Sequence, residues 1–322
     1  MTSAIDPDVL LLSDAPIGSV AGDVLGHARV AQRLVELACA GPVGASRTVG
    51  LTGGPGTGRT SLLALAREHL TTRPEVVVVA LDAGEHPSAD ALLGALLDHF
   101  TEFFTAAGVL EKTTQVRDKL AGYVGAVSGV AKLAGVSVDP NALKRSPAAV
   151  RAELLQAIQV VGQRFVVTID HVDRMDGASQ YALLRGLHHS VAIPYITVVL
   201  AVDPREVVRR ISATIGGAAG AEVLARVLQV ELAVPPCDRV VLARVIAGGL
   251  VRLGERLDRD VDALLPLFDP EHDGRGLLHV RTLRDAKRAV NALSANLPLW
   301  PADVDLAGAA VDLLDRLLSP ST

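Results

Sequence analysis

Aromatic side chains are scarce in this 322-residue chain, at 3% of positions against 49% hydrophobic residues in all. A core without rings must be assembled from Ala, Val and Leu, which suits helices packed on a parallel sheet. Cysteine is nearly absent: Cys39 and Cys237 lie far apart and have no metal-ligand spacing. That argues against a disulfide scaffold or a thiolate metal cluster and fits a reducing compartment. Neither sign of charge dominates, since 31 Lys and Arg oppose 36 Asp and Glu for a net charge of −5. A broad nucleic-acid surface is therefore not expected, although a local basic face is compatible with the count. The first residues lack a basic region and carry Asp6 and Asp8, so no signal peptide is read and a cytoplasmic location is expected. Long hydrophobic runs are missing as well. The best candidate, 121–138, is interrupted by Lys132 and loosened by glycines, short of the ~20 continuous apolar residues of a spanning helix. A helical hairpin or an interfacial segment in contact with a membrane is expected there.

What the chain does have is a glycine cluster in a telling position. The β-branched run from Arg47 stops at Gly53-Gly54-Pro55-Gly56-Thr57-Gly58-Arg59-Thr60-Ser61, after which apolar residues recur at helical spacing. Strand, phosphate loop and helix follow one another, and G-x-x-x-x-G-K-[ST] is met with arginine in the lysine slot. A loop that wraps a phosphate needs backbone conformations a side chain would block, so that successive N–H groups point at one anion. The following helix adds its free amides and positive dipole end. Thr60 is placed to give a hydroxyl to Mg2+.

Apolar runs alternate with helical segments around this loop. Strands are expected at 75–83, 164–170, 195–203 and, briefly, 229–234, and helices at 60–70, 88–107, 146–161, 179–189 and from Pro204. Such alternation indicates βαβ units and a parallel sheet. Pro235-Pro236 is the clearest boundary, and beyond it the apolar period stays near 3.6 through Leu318. The expected organisation is a lead-in helix and linker at 1–46, an α/β domain at 47–236 carrying a helical insertion at 107–145, and a helical lid at 237–322.

In an open α/β sheet the ligand sits beyond the carboxyl ends of the strands. Asp170 ends a buried strand and is placed to hold the metal ion, sharing it with Thr60. The next residue, where an acid would orient the attacking water, is His171; Asp173 is a substitute, or is paired with Arg174. Arg59 keeps the charge of lysine but not its shape. Asp203 either senses the γ-phosphate or caps the next helix. Arg226 is a candidate arginine finger in trans or a solvated side chain. Arg281, Arg284 and Arg288 form a stripe opposite Leu283, Ala286, Val290 and Leu293, available to close over phosphates, to meet an acidic partner, or simply to face solvent.

The assembled motifs resemble the KAP family of P-loop NTPases, part of the class with an acid beside the Walker B aspartate. The carrying segments are Leu11-Leu12-Ser13-Asp14-Ala15-Pro16-Ile17, the phosphate loop, Ile169-Asp170-His171-Val172-Asp173-Arg174, Leu200-Ala201-Val202-Asp203, and the run from Thr282 to Leu293 with its R-D-x-K-R-x-x-N element. The resemblance implies a P-loop sheet followed by a helical domain, ATP and Mg2+ as ligands, and a signalling, membrane-associated or phage-defence setting. Self-association or a protein partner is implied with it. Arg59, His171 and Asp82-Ala83 depart from the family pattern; the first two bear on turnover. A nucleotide switch with weak or absent hydrolysis is the leading expectation, ahead of an oligomeric ATPase using His171 or Asp173 with Arg284, and of a nucleotide-free scaffold.

Overall fold

The computed structural model describes residues 11–17, 19, 23, 25–106, 132–133, 136–137, 158–159, 162–190, 194–257, 260–301 and 303–318. Five strands, β1 (Arg47–Thr52), β2 (Val76–Asp82), β3 (Arg164–Asp170), β4 (Ile196–Val202) and β5 (Val230–Ala233), form one parallel sheet in the order β2-β3-β4-β1-β5. The central strands β3 and β4 are buried at every residue, as expected for strands covered on both faces. Their side chains divide by the two-residue period. Phe165, Val167, Ile169, Val198, Leu200 and Val202 pack with α3 (Ala89–Ala106), α4 (Gly177–Ser190), α5 (Pro204–Ile215) and α6 (Ala219–Val227). Val166, Val199 and Ala201 face α1 (His27–Cys39) and α2 (Arg59–Thr71) on the other side. The register pairs Asp82 with Asp170 and Thr52 with both Val202 and Ala233, so the strands finish together and the phosphate loop leaves from that edge.

Helix limits follow capping chemistry more closely than apolar period. Asp176 accepts from the amides of Ala178 and Ser179, so α4 starts two residues before its expected position. Tyr195 has φ 71, which ends the turn and starts β4 one residue late. At 107–145, where a helical insertion is expected, the described residues are Lys132–Leu133 and Val136–Ser137, an antiparallel pair and not helix; the remainder lies outside the described residues. The 146–161 helix is described only at 158–159, which are helical. Among the described residues no helix is long and apolar enough to cross a membrane.

After Pro235-Pro236 the described chain is helical: α7 (Arg239–Leu257), α8 (Leu283–Asn296), α9 (Leu306–Leu318) and short 3-10 turns. Leu242, Ile246 and Leu250 of α7 join Val290, Leu293 and Leu314 in a separate aliphatic core. Thr282 and Asp285 cap α8 reciprocally. Arg281 therefore precedes the helix, and the expected three-arginine stripe begins at Arg284.

Residues 11–17 do more than lead in. The Asn291 side chain accepts from the Leu12 amide at 2.7 Å and donates to its carbonyl at 3.0 Å, as a paired strand would. Five residues on, the Ile17 amide donates to Ser61 Oγ at 3.2 Å. Leu12 packs against the helical core and Ile17 against the α1–α2 core. This strap ties the two together.

Arg164, 3% exposed, anchors α1 from below. Its guanidinium donates to the carbonyls of Ala38, Ala40, Gly41 and Pro42, answering acceptors a helix end leaves free. Arg164→Met should cost roughly 1–3 kcal/mol, chiefly by leaving the buried Ala38 carbonyl without its donor, read as a lower urea midpoint at unchanged slope.

Candidate functional site

Beyond β1 the Gly53 amide still donates to Val202 O at 3.2 Å before the chain leaves the sheet. Thr57 closes the loop, its Oγ1 donating to Gly54 O at 2.8 Å. Gly56 and Gly58 take φ of 77° and 95°, which L-residues with side chains adopt at a cost. Each is also a point of contact: a Cβ at Gly56 would lie 2.9 Å from Thr282 Oγ1, and one at Gly58 would overlap the His27 imidazole. Arg59, Thr60 and Ser61 form the first turn of α2 and line a cleft of about 410 Å³ with Pro55, Gly56 and Gly58. The strap residues Asp14 to Ile17 and, from α8, Leu283, Arg284 and Lys287 complete its walls.

At the strand ends the cleft is lined by paired charges. Arg59, 9% exposed, donates through Nη2 to Asp173 Oδ2 at 3.0 Å. His171 sits in the left-handed region at φ 56. Its Nδ1 donates to Asp82 Oδ2 at 2.8 Å, leaving Nε2 3.4 Å from Thr60 Oγ1 and 3.8 Å from Asp170 Oδ2. Thr60 and Asp170 thus both approach the same imidazole nitrogen. Arg59 Nη1, Asp173 Oδ1 and Asp170 Oδ2 are buried without a hydrogen-bond partner. Arg59 and Asp173 line the cleft and Asp170 lies behind His171; one unmet donor and two unmet acceptors at this end of the sheet fit an anion and a cation together.

A family model for the KAP family P-loop domain matches residues 27–299. The chain belongs to the KAP family. No curated protein sequence matches it. Among solved structures, the Aeropyrum pernix ORC1 protein in complex with DNA is 14% identical, covers 96% of this chain and 68% of its own, and has a TM-score of 0.46. The Aeropyrum pernix ORC2 protein, solved as ADPNP-ADP complexes, is 15% identical over 95% of this chain and 70% of its own, with a TM-score of 0.40. The parallel sheet, the loop and the helical region are those of a nucleotide-binding, ATPase-like P-loop domain.

Within this KAP domain the expected site residues separate into two groups. Pro55, Gly56, Gly58, Arg59, Thr60, Ser61, His171, Asp173 and Arg284 line the one cleft, with Asp170 behind His171. Asp173 is paired with Arg59 and not with Arg174. Asp203 lies elsewhere and caps α5 by accepting from the Arg205 and Glu206 amides. Arg226 is exposed beside Glu222, in a different depression with Tyr181 and Arg185. The arginine face of α8 divides too: Arg284 donates to Asp14 Oδ2 at 2.7 Å, whereas Arg288 reaches Leu317 O. Sequence reasoning missed Asp82, although β2 and β3 both end hydrophobic-Asp at matching registers. It also missed His27, Asp14 and Lys287, whose Nζ donates to Ser13 O at 2.6 Å.

His27 is 6% exposed against the loop. Burial lowers its pKa from the ordinary 6.5, with the Asp23 charge opposing. Burial raises the Asp23 carboxyl, but the amides of Ala28, His27 and Leu25 outweigh it and hold the group low. Because the folded chain disfavours the His27 imidazolium, the unfolded chain binds that proton more readily. This contribution to stability is full above about pH 6.5 and is lost as pH falls through the folded-state value. Urea midpoints taken from pH 7.5 to 5 should fall in the native sequence and fall less in His27→Gln. Gly58→Ala should cost about 2–4 kcal/mol from left-handed strain plus overlap with the ring. Adding His27→Ala should return the overlap part, so the double variant should unfold at higher urea than the sum of the singles.

Proposed function

We propose that the cleft binds ATP together with a divalent ion, and that the chain works as a nucleotide-dependent switch with weak or absent hydrolysis. The observation that carries this reading is how the charges are committed: Arg59 is held by Asp173, and His171 by Asp82. Binding requires only that an anion meet Arg59 Nη1 and the loop amides while a cation meets Asp170 Oδ2 and Thr60 Oγ1. Turnover asks for more, because contacts made only in the transition state depend on placement. A planar guanidinium tied to a carboxylate stands in the lysine position, and an imidazole without fixed negative charge stands in the water-orienting position. A bound ion would supply charge neutralisation of the phosphates. Thr60 and Asp170 would hold it, while Arg284 and Lys287 would meet the phosphates from α8.

The switch part of the proposal rests on the walls. Phosphate loop, strap and α8 each supply a side of one cleft, so an occupant that touches all three favours the arrangement in which they meet. Non-consensus Walker residues then limit rate and not occupancy.

ATP at a hundredfold excess over its Kd should stabilise the protein by about 2.7 kcal/mol, while phosphate release stays far below the ~10 s⁻¹ typical of enzymes. Arg59→Lys combined with His171→Asp should raise release at least about tenfold, a loss of roughly 1.4 kcal/mol from the barrier. Rapid release by the unmodified chain would replace the switch with a working ATPase. No stabilisation by any nucleotide would leave a scaffold instead.

A further inference from the structure

We propose that His171 is itself a metal ligand, so that the ion accompanying nucleotide in this cleft is a first-row transition ion such as Mn2+ or Co2+ in preference to Mg2+. This rests on the nucleotide reading above and goes further by choosing the metal. The starting point is a tautomer. Asp82 Oδ2 can only accept, so the 2.8 Å contact fixes the proton on His171 Nδ1. In the neutral ring Nε2 then carries a lone pair, with Thr60 Oγ1 at 3.4 Å and Asp170 Oδ2 at 3.8 Å beside it. Thr60 can donate to it. The carboxylate cannot.

Asp170 Oδ2 is buried and unpartnered, on a side chain only 10% exposed. In this tautomer Nε2 has Thr60 as a donor, whereas Asp170 Oδ2, 3.8 Å from it, has none. A cation resolves this: bonds of about 2.1 Å to imidazole nitrogen and carboxylate oxygen at adjacent coordination positions would draw the two atoms from 3.8 Å to roughly 3 Å. The Asp82–His171 pair has the form of a carboxylate that orients a ligating imidazole and raises its basicity. The backbone of His171 is held at φ 56, in the left-handed region that disfavours residues with a side chain. That turn brings the ring back over the end of β3.

Ligand chemistry then sets the preference. Mg2+ takes oxygen donors and keeps its waters, whereas imidazole suits the later first-row ions. Among the described residues no three His, Cys, Asp or Glu side chains converge as a self-sufficient metal site. Asp170, His171 and the Thr60 hydroxyl supply part of a coordination shell, and nucleotide oxygens must supply the rest. Metal and nucleotide should enter together.

The test uses the full chain, with ATP binding followed calorimetrically in EDTA, in Mg2+, in Mn2+ and in Co2+, and with the visible d–d absorption of Co2+ recorded in the ternary mixture. Mn2+ or Co2+ should tighten ATP binding at least tenfold over Mg2+. The Co2+ spectrum of the complex should differ from that of Co2+–ATP alone, and His171→Asp should remove the preference, so that this variant binds ATP no more tightly in Mn2+ or Co2+ than in Mg2+ and its Co2+ spectrum matches that of Co2+–ATP. Asp82→Asn, which keeps the ring but weakens its orienting partner, should reduce the advantage without removing it. Equal affinities with Mg2+ and Co2+ and a protein-independent spectrum overturn the metal proposal while nucleotide binding stands. ATP affinity that is the same in EDTA as with any ion also overturns it, and makes the ring a protonated substitute for the metal. No ATP binding under any condition overturns the nucleotide reading and this inference with it.

Discussion

The phosphate loop of this chain is held in shape from outside. Three segments distant in sequence close on its glycines: Val234 lies 3.3 Å from where a Gly53 Cβ would be, Thr282 occupies the space beside Gly56, and the His27 ring that beside Gly58. Four glycines in a six-residue loop would otherwise sample many states. The start of α1, the end of β5 and the cap of α8 limit those states by filling the space a side chain would take. The same contacts make the loop a meeting point, because a shift in any of the three is felt by the backbone that would receive an anion.

Electrostatics inside the cleft add a second constraint. Arg59 and Asp173 are both largely buried, and each keeps one unmatched polar atom. Partial satisfaction of this kind is expensive in a low-dielectric setting, and here it falls on an ion pair beside the loop. An anionic ligand that reaches Arg59 Nη1 need not break the pair with Asp173, since that pair uses Nη2. Ion pair and ligand contact can therefore coexist. This separates the ability to bind from the ability to free a mobile cation during reaction.

The sheet was legible from sequence because its strands are buried on both faces: RFVVTID and ITVVLAV leave no periodicity to mistake for a helix, and each is bounded by turn residues. The phosphate loop was legible for the same local reason. What did not show is everything decided by register or long-range contact. Asp82 becomes important only because β2 and β3 align it with Asp170, and nothing in VVVVALD identifies its neighbour. His27 looks like any helix-starting polar residue until Gly58 is placed against it. For Asp203 and Arg226 the sequence left a ligand role open beside capping and solvation, and the structure shows a helix cap for the first and an exposed i,i+4 contact for the second. In the 107–145 stretch composition suggested helix where the described residues pair as strand, since a Gly/Ala-rich run fixes neither period.

The strap explains why a contact network of modest strength can still couple the helical region to the sheet. Its polar links are of two kinds. The Leu12–Asn291 pair uses neutral amide groups in a partly buried setting, and Leu12 itself lies against the helical core. The Asp14–Arg284 ion pair is about half exposed, where such pairs are worth about 0–1 kcal/mol and are screened by salt. The first link fixes the strap on α8 whatever the cleft contains. The second can be exchanged at small cost for a stronger charge partner entering between strap and loop. An arrangement with one firm and one yielding contact would let Arg284 turn toward an anion, should the cleft bind one as proposed, while Leu12 and Ile17 stay seated in their two cores.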